Sequence, residues 1–160
     1  MRLTLVRHAF AGHKGNWHPD LERPLDALGM RQTETLTRVL ARRRVRRIIS
    51  SPAVRCLQTI APLAEAVDVA VEVWPDLGPE GFSRWILMAC IADPDFDRAV
   101  LCTHGELMSP LLERDDIAGL VQRDGLKRDR LLTKGSAWQL TIDARGIVTV
   151  LAHVLPPVEP

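Results

Sequence analysis

A three-layer α/β sandwich is the fold this sequence predicts, with a mostly parallel central sheet, helices on both faces and an antiparallel C-terminal edge hairpin. Three observations predict it. The apolar runs Leu3 to Val6 and Ala99 to Thr103 have the length and continuity of strands buried on both faces. Stretches of helix length separate such runs, as an α/β arrangement requires. Two strand-like segments, Ser136 to Ile142 and Ile147 to Val154, flank Asp143-Ala144-Arg145-Gly146, a hairpin signal. The 160 residues fit one domain, set at 1–155, with a Pro-rich tail over 156–160.

The first strand ends in Arg7-His8 and opens into a long aperiodic loop over 9–24 that carries Gly12, Gly15, His18-Pro19 and Arg23-Pro24. Long ordered loops in compact domains are often functional. A helix is expected from Asp26 to Arg44, with Leu28, Leu36, Val39 and Leu40 on one face. The arginines Arg42, Arg43, Arg44, Arg46 and Arg47 read as its solvated end, where cations complement the helix dipole. Ile48-Ile49 is a very short strand. Ser51-Pro52 starts a second helix, because serine caps well and proline suits a first turn. Val54, Leu57, Ile60 and Ala61 form its expected inner stripe, and Pro62 should kink it. Val69 to Trp74 alternates as a strand, Pro75 to Gly81 is a loop, and Phe82 to Ala92 reads as a short buried helix. After the strand ending at Thr103 comes His104-Gly105, then a helix from Glu106 to Glu113 and a polar, weakly patterned stretch to Lys134.

Composition narrows the partners. The formal net charge is +1, and the basic run has no interleaved aromatics, so neither nucleic acid nor an anionic membrane is expected. No apolar run approaches the roughly 20 residues that span a bilayer, and Met-Arg leads straight into a strand, so a cytoplasmic protein is expected. Cys56, Cys90 and Cys102 lack CxxC spacing and read as buried free thiols. His13, His18 and Asp20 fit no common metal-ligand spacing and read as solvated loop residues. Trp17, Trp74, Trp85 and Trp138 read as packing residues, with Trp17 alone placed in the loop where it could stack on a base.

Arg7, His8, Arg55 and His104 stand at strand exits or a helix start, and a parallel-rich sheet gathers such exits at one edge. Two guanidinium forks grip phosphate oxygens at any working pH. One histidine can attack phosphorus and hold the phosphoryl group, and the other can donate to its equatorial oxygens. The cations are side chains, so this scheme needs no metal or other cofactor.

Leu5-Val6-Arg7-His8-Ala9, Ser50-Ser51-Pro52 leading to Arg55 and Gln58-Thr59, and Thr103-His104-Gly105 together resemble the histidine phosphatase superfamily, which includes phosphoglycerate mutases. Arg23-Pro24-Leu25 followed by Gly29 resembles its small branch of SixA-type phosphohistidine phosphatases. Lys134-Gly135-Ser136 before Trp138 is more like the phosphatase-type domain fused behind some actinobacterial Nudix hydrolases. The resemblance implies His8 as the phosphorylated nucleophile, Arg7 and Arg55 as the phosphate clamp and His104 as the second pocket histidine. It places Glu80 where many members carry the acid for the leaving group, with Asp76 as rival. Arg23 and Lys14, with Lys134, would extend the positive pocket. Ala9 stands where the usual pattern has glycine. The implied activity is a metal-independent phosphatase acting on a phosphorylated small molecule, nucleotide-like, or on a phosphohistidine protein. The alternative is a catalytically weak phosphate- or nucleotide-sensing module.

Overall fold

A computed structural model describes residues 1–16, 19–80 and 85–156. The strands are β1 (Arg2–Arg7), β2 (Arg47–Ser50), β3 (Val71–Val73), β4 (Ala99–Thr103), β5 (Ala137–Ile142) and β6 (Val148–Val154). They form a six-stranded sheet in the order β3-β2-β4-β1-β5-β6. The first four strands are parallel, and β5 and β6 run antiparallel at the edge. The helices are α1 (Ala27–Leu40), α2 (Val54–Val67), α3 (Ile86–Ala92), α4 (Gly105–Met108), α5 (Asp115–Arg123) and α6 (Arg128–Leu131).

Alternation along the central strands splits the core into two layers. Leu3, Leu5, Ile49 and Leu101 face α3, α4 and α5 through Leu87, Ile91, Met108, Ile117 and Leu120. Val6, Ile48, Val100 and Cys102 face α1 and α2 through Leu36, Leu40, Cys56, Ile60 and Leu63. The three-layer sandwich is therefore as the strand pattern implied.

Several boundaries and faces differ from expectation. α1 stops at Leu40, and Arg42, Arg43 and Arg44 lie exposed in the turn beyond it, with Arg44 at φ 52°. α2 starts at Val54 rather than at Ser51-Pro52 and runs through Pro62 to Val67. Its buried stripe is Arg55, Cys56, Thr59, Ile60 and Leu63, whereas Val54 and Leu57 are half-buried and Ala61 is exposed. The helix is turned so that its polar residues face the strand exits, where Thr59 Oγ1 accepts from the Ala9 backbone N–H at 2.9 Å. α1 does the same: it buries Gln32 and Thr33, and Gln32 Oε1 accepts from the Phe10 N–H at 2.9 Å. The 9–24 loop contains short 3-10 turns at Lys14–Asn16 and Asp20–Glu22. The expected helix over 106–113 is the single turn α4 followed by a 3-10 segment, Ser109–Glu113, around Pro110. The weakly patterned stretch after it contains α5 and α6. α5 is amphipathic, burying Ile117 and Leu120. The expected start of the third helix at Phe82 and most of the C-terminal tail, 157–160, lie outside the described residues. Among the described residues no helix is long and apolar enough to cross a membrane.

Asp26 caps α1, its Oδ1 accepting from the Gly29 N–H at 2.9 Å. A Cβ on Gly29 would lie 2.0 Å from the Phe10 carbonyl oxygen, so backbone would have to move. Asp26→Ala is expected to cost about 1 kcal/mol, the usual value of a lost N-cap. Gly29→Ala is expected to cost more despite its better helix propensity. Urea unfolding of both variants checks this order.

Candidate active site

The parallel register delivers the site. Arg7 pairs with Thr103 across β1 and β4, and Ser50 pairs with Cys102 across β2 and β4, so the strands end level. The pairing continues one residue further: the His8 N–H donates to the Thr103 carbonyl and the Ser51 N–H to the Cys102 carbonyl, each at 3.0 Å. Arg7-His8, Ser51 and His104 thus emerge side by side at the carboxyl edge, where open α/β sheets bind ligands. A cleft of about 300 Å³ opens there, and its lining includes Arg7, His8, Arg55 and His104.

His8 is 4% exposed. Its Nδ1 donates to the Ala9 carbonyl at 2.8 Å, which leaves Nε2 as the unprotonated nitrogen. Burial drives its pKa from 6.5 down to about 2; the Ala9 bond opposes this, and the charges of His104, Arg55 and Arg7 reinforce it. The imidazole is neutral across the physiological range. Its ring centroid lies 5.2 Å from that of His104. Ala9 is buried and does not adopt a positive φ, so the methyl group in place of glycine strains nothing.

The arginines are propped on backbone carbonyls. Arg7 Nη1 donates to the Leu132 carbonyl. Arg55 Nη1 donates to the Asp20 carbonyl at 3.0 Å, and Arg23 Nη1 to the Ala11 carbonyl at 3.0 Å. The Nε atoms of Arg7 and Arg55 are buried and have no hydrogen-bond partner among the described residues. Buried donors without acceptors are rare, and an oxyanion in the cleft would supply acceptors. His104 receives a 3.4 Å contact from Arg55 Nη2 at Nδ1, and its Nε2 lies 2.8 Å from Ser51 Oγ and 3.5 Å from Cys56 Sγ. A serine hydroxyl both donates and accepts, so it suits either tautomer of His104.

Other residues sort clearly. Lys14, Arg23 and Lys134 all line the cleft. Lys134 sits over the Phe10 ring at 5.2 Å. Burial and the charges of Arg7, Arg23 and Arg55 lower its pKa, against the opposing charge of Glu106. Asp20, expected to be a solvated loop residue, instead bridges two arginines: Oδ1 lies 3.0 Å from Arg23 Nε and Oδ2 3.1 Å from Arg55 Nη2. Burial alone would raise its carboxyl pKa, but Arg23, Arg55 and Lys14 hold it below the ordinary value. Glu80 is exposed and is not among the cleft's lining residues, although its neighbour Pro79 is. Asp76 is exposed as well. Besides Asp20, the acid that lines the cleft is Glu106, itself exposed, which sequence reasoning passed over as the start of a helix. Its adjacency to His104-Gly105 was the available signal. His13 lines the cleft rim, whereas Trp17 and His18 lie outside the described residues. Trp138 is fully buried and Trp74 half-buried, but Trp85 is 64% exposed, contrary to expectation. The three cysteines are free and buried, as expected. Among the described residues no three His, Cys, Asp or Glu side chains converge as a metal set.

Residues 3–86 match the family model described as histidine phosphatase superfamily (branch 1). The chain belongs to the histidine phosphatase superfamily. A relative from Mycolicibacterium smegmatis, named 8-oxo-(d)GTP phosphatase, is 29% identical over 164 aligned positions. That alignment takes in 98% of this chain and 49% of the relative, so the chain spans about half that protein's length. The solved structure of the protein histidine phosphatase SixA complexed with tungstate superposes with a TM-score of 0.73 at 20% identity, covering 98% of this histidine phosphatase homologue and 97% of SixA. A SixA-type structure from Agrobacterium tumefaciens gives a TM-score of 0.74 at 22% identity, covering 97% of each chain. At these identities the structural likeness establishes the fold.

The His8 imidazole is expected to show no titration between pH 8 and pH 5 in the free protein, followed by its ring ¹³C and ¹⁵N shifts. Because its folded pKa lies below the unfolded value, it contributes no pH-dependent loss above pH 6.5. The protein is expected to lose stability as pH falls from 6.5 toward about 2, where the unfolded chain binds the proton first. His8→Asn removes that component, and acid unfolding of the two proteins compares them.

Proposed function

We propose that this chain is a metal-independent phosphatase that cleaves a phosphomonoester or phosphoramidate through a phosphohistidine on His8. One observation carries the proposal. The nucleophile is neutral, its Nδ1 is tied to the Ala9 carbonyl, and it shares its cleft with two buried arginines and a second histidine. Phosphorylated small molecules and phosphohistidine proteins are both substrates of the right chemistry. The named activities of the Mycolicibacterium and SixA relatives support these two classes.

In the first step His8 Nε2 attacks phosphorus, a P–N bond forms, and the bond to the leaving oxygen or nitrogen breaks. Arg7 and Arg55 hold the phosphoryl oxygens; once Arg55 Nη2 turns from His104 to the oxyanion, His104 donates to it from Nδ1, with Nε2 accepting from the Ser51 hydroxyl. Glu106, on the cleft wall, protonates the leaving group; Glu80, the acid expected from the resemblance, is the competing donor beside Pro79. In the second step water attacks phosphorus, its proton passes to the same carboxylate, and the P–N bond breaks to release phosphate and neutral His8. Arg23 and Lys14, with Lys134, draw the anion in and add donors at its rim.

His8→Ala is expected to lower hydrolysis of an aryl phosphate by on the order of 10³-fold or more while leaving circular dichroism unchanged. Acid-quenched wild type should carry a ³¹P signal of phosphohistidine. Undiminished turnover by the variant would end the proposal. Glu106→Gln is expected to slow esters of poor leaving groups by about 10²-fold and esters of good ones much less. If Glu80→Gln alone shows that dependence, Glu80 is the donor.

Gly105 offers a second check on the clamp. A Cβ there would lie 2.9 Å from Arg7 Cζ. Gly105→Ala is expected to displace the guanidinium and weaken inhibition by inorganic phosphate or tungstate by about tenfold, one charge-assisted hydrogen bond's worth.

A further inference from the structure

The phosphoryl cleft adjoins a second, larger hollow of about 750 Å³. Pro79 and Glu106 line both, and Trp85, Met88, Leu107 and Pro110 give the second its apolar surface. The floor is firm. Leu107 is buried in the main core, and Met88 packs against that core from α3. Trp85, just ahead of α3, leaves 64% of its surface exposed, the largest fraction among the exposed hydrophobic side chains described. A flat indole left open beside a polar reaction site is an unusual use of apolar surface.

Charge separates the two sides of the site. Lys14, Arg23 and Lys134 lie on the phosphoryl side. The apolar side carries the carboxylates of Glu106 and Glu113. Glu113 is paired with Arg128 at 2.6 Å, and Arg114 with Asp116 at 2.7 Å. Neither pair adds net positive charge to the hollow. A further phosphate is therefore favoured toward the lysines and disfavoured beside Glu106.

We infer that this hollow is the leaving-group subsite, and that it takes a flat aromatic ring, neutral or cationic, borne close to the phosphoryl group. A substituent that leaves the phosphoryl site past Pro79 and Glu106 enters it and meets the face of Trp85. Aromatic stacking with flanking aliphatic contact supplies the affinity. The Glu106 and Glu113 carboxylates disfavour anionic rings on approach, before Glu106 holds the proton it gives the leaving group. The inference rests on the phosphatase reading of the cleft and names the class of ester that reading would serve.

The test compares 2-naphthyl with phenyl phosphate, whose phenols are similar in acidity, so that the ratio of kcat/KM reports ring contact rather than intrinsic reactivity. Wild type is expected to favour the naphthyl ester by about tenfold, the worth of stacking one further ring. Trp85→Ala should bring that ratio near unity, Trp85→Phe should keep most of it, and both should hydrolyse glycerol phosphate as wild type does. A sulfonated naphthyl ester should be the poorer substrate of wild type. Turnover with a naphthyl-to-phenyl ratio that Trp85→Ala does not change overturns the subsite alone. So does a penalty from Trp85→Ala confined to a phosphohistidine peptide, which would make the hollow a peptide seat. Absence of turnover by wild type on every ester and on a phosphohistidine peptide overturns the phosphatase reading, and the subsite with it; turnover of the peptide alone overturns the subsite.

Discussion

The hydrogen bond from His8 Nδ1 to the Ala9 carbonyl is the constraint on which the site depends. It fixes the ring, and it fixes which nitrogen carries the proton. Burial among like charges then keeps the ring neutral far below its usual pKa. Either effect alone would be insufficient. A buried imidazole with a free Nδ1 could present the wrong tautomer, and a tethered but solvated one would be partly protonated near neutrality. The tether depends in turn on the β1–β4 register. The His8 N–H is held on the Thr103 carbonyl, and the Ala9 N–H on Thr59 of α2. Two layers of the fold therefore meet on two consecutive residues, His8 and Ala9.

The cationic side chains are held with only part of their charge neutralised. Backbone carbonyls of Leu132, Asp20 and Ala11 prop Arg7, Arg55 and Arg23, and a carbonyl orients a guanidinium without cancelling its charge. Five cationic side chains and two carboxylates line the cleft among the described residues. Asp20 is the carboxylate that spans two of those cations, Arg23 and Arg55. The remaining positive field is available to a dianion, and burial strengthens it relative to water.

Much of this was legible in the residues. The apolar runs of β1 and β4 and the hairpin of β5 and β6 depend on local pattern, and strand exits bearing Arg7-His8 and His104 follow from it. The inner faces of α1 and α2 were not legible, because the helices bury Gln32, Thr33, Arg55 and Thr59 to satisfy the loop after β1. An apolar-stripe reading assigns Gln32, Thr33 and Thr59 to solvent; Arg55 was legible only from its place at a helix start and in the family-like motif. α5 was missed because nine residues with Gly119 in their midst give few turns of periodicity. Of the arginine run, Arg42, Arg43 and Arg44 are solvated, in a turn rather than on the helix, since Arg44 takes a left-handed conformation; Arg47, expected with them, is instead half-buried in β2, paired with Glu72 at 3.0 Å and lying over the Phe96 ring. The role of Asp20 depends on Arg55, 35 positions away, a pairing that no local pattern encodes.

The antiparallel edge belongs to the same logic. A parallel neighbour of β1 would begin at the far edge of the sheet, remote from the cleft. β5 runs the other way, so Ala137 pairs with Val6, and the residues just before it arrive where β1 ends. Gly135 donates its N–H to the carbonyls of Arg7 and His8, and its φ of +79° lets the chain turn there. A Cβ would also meet Gln32 at 2.7 Å, so glycine is required by space as well as by conformation. That turn carries Lys134 into the cleft. Upstream, Trp138 Nε1 and Ser136 Oγ both donate to the Leu131 carbonyl, which anchors the end of α6 and sets the next carbonyl, Leu132, against Arg7. The stretch from 115 to 134 thus does structural work on the cleft: it supplies the acceptor that orients Arg7, and the reversed strand direction is what brings it within reach.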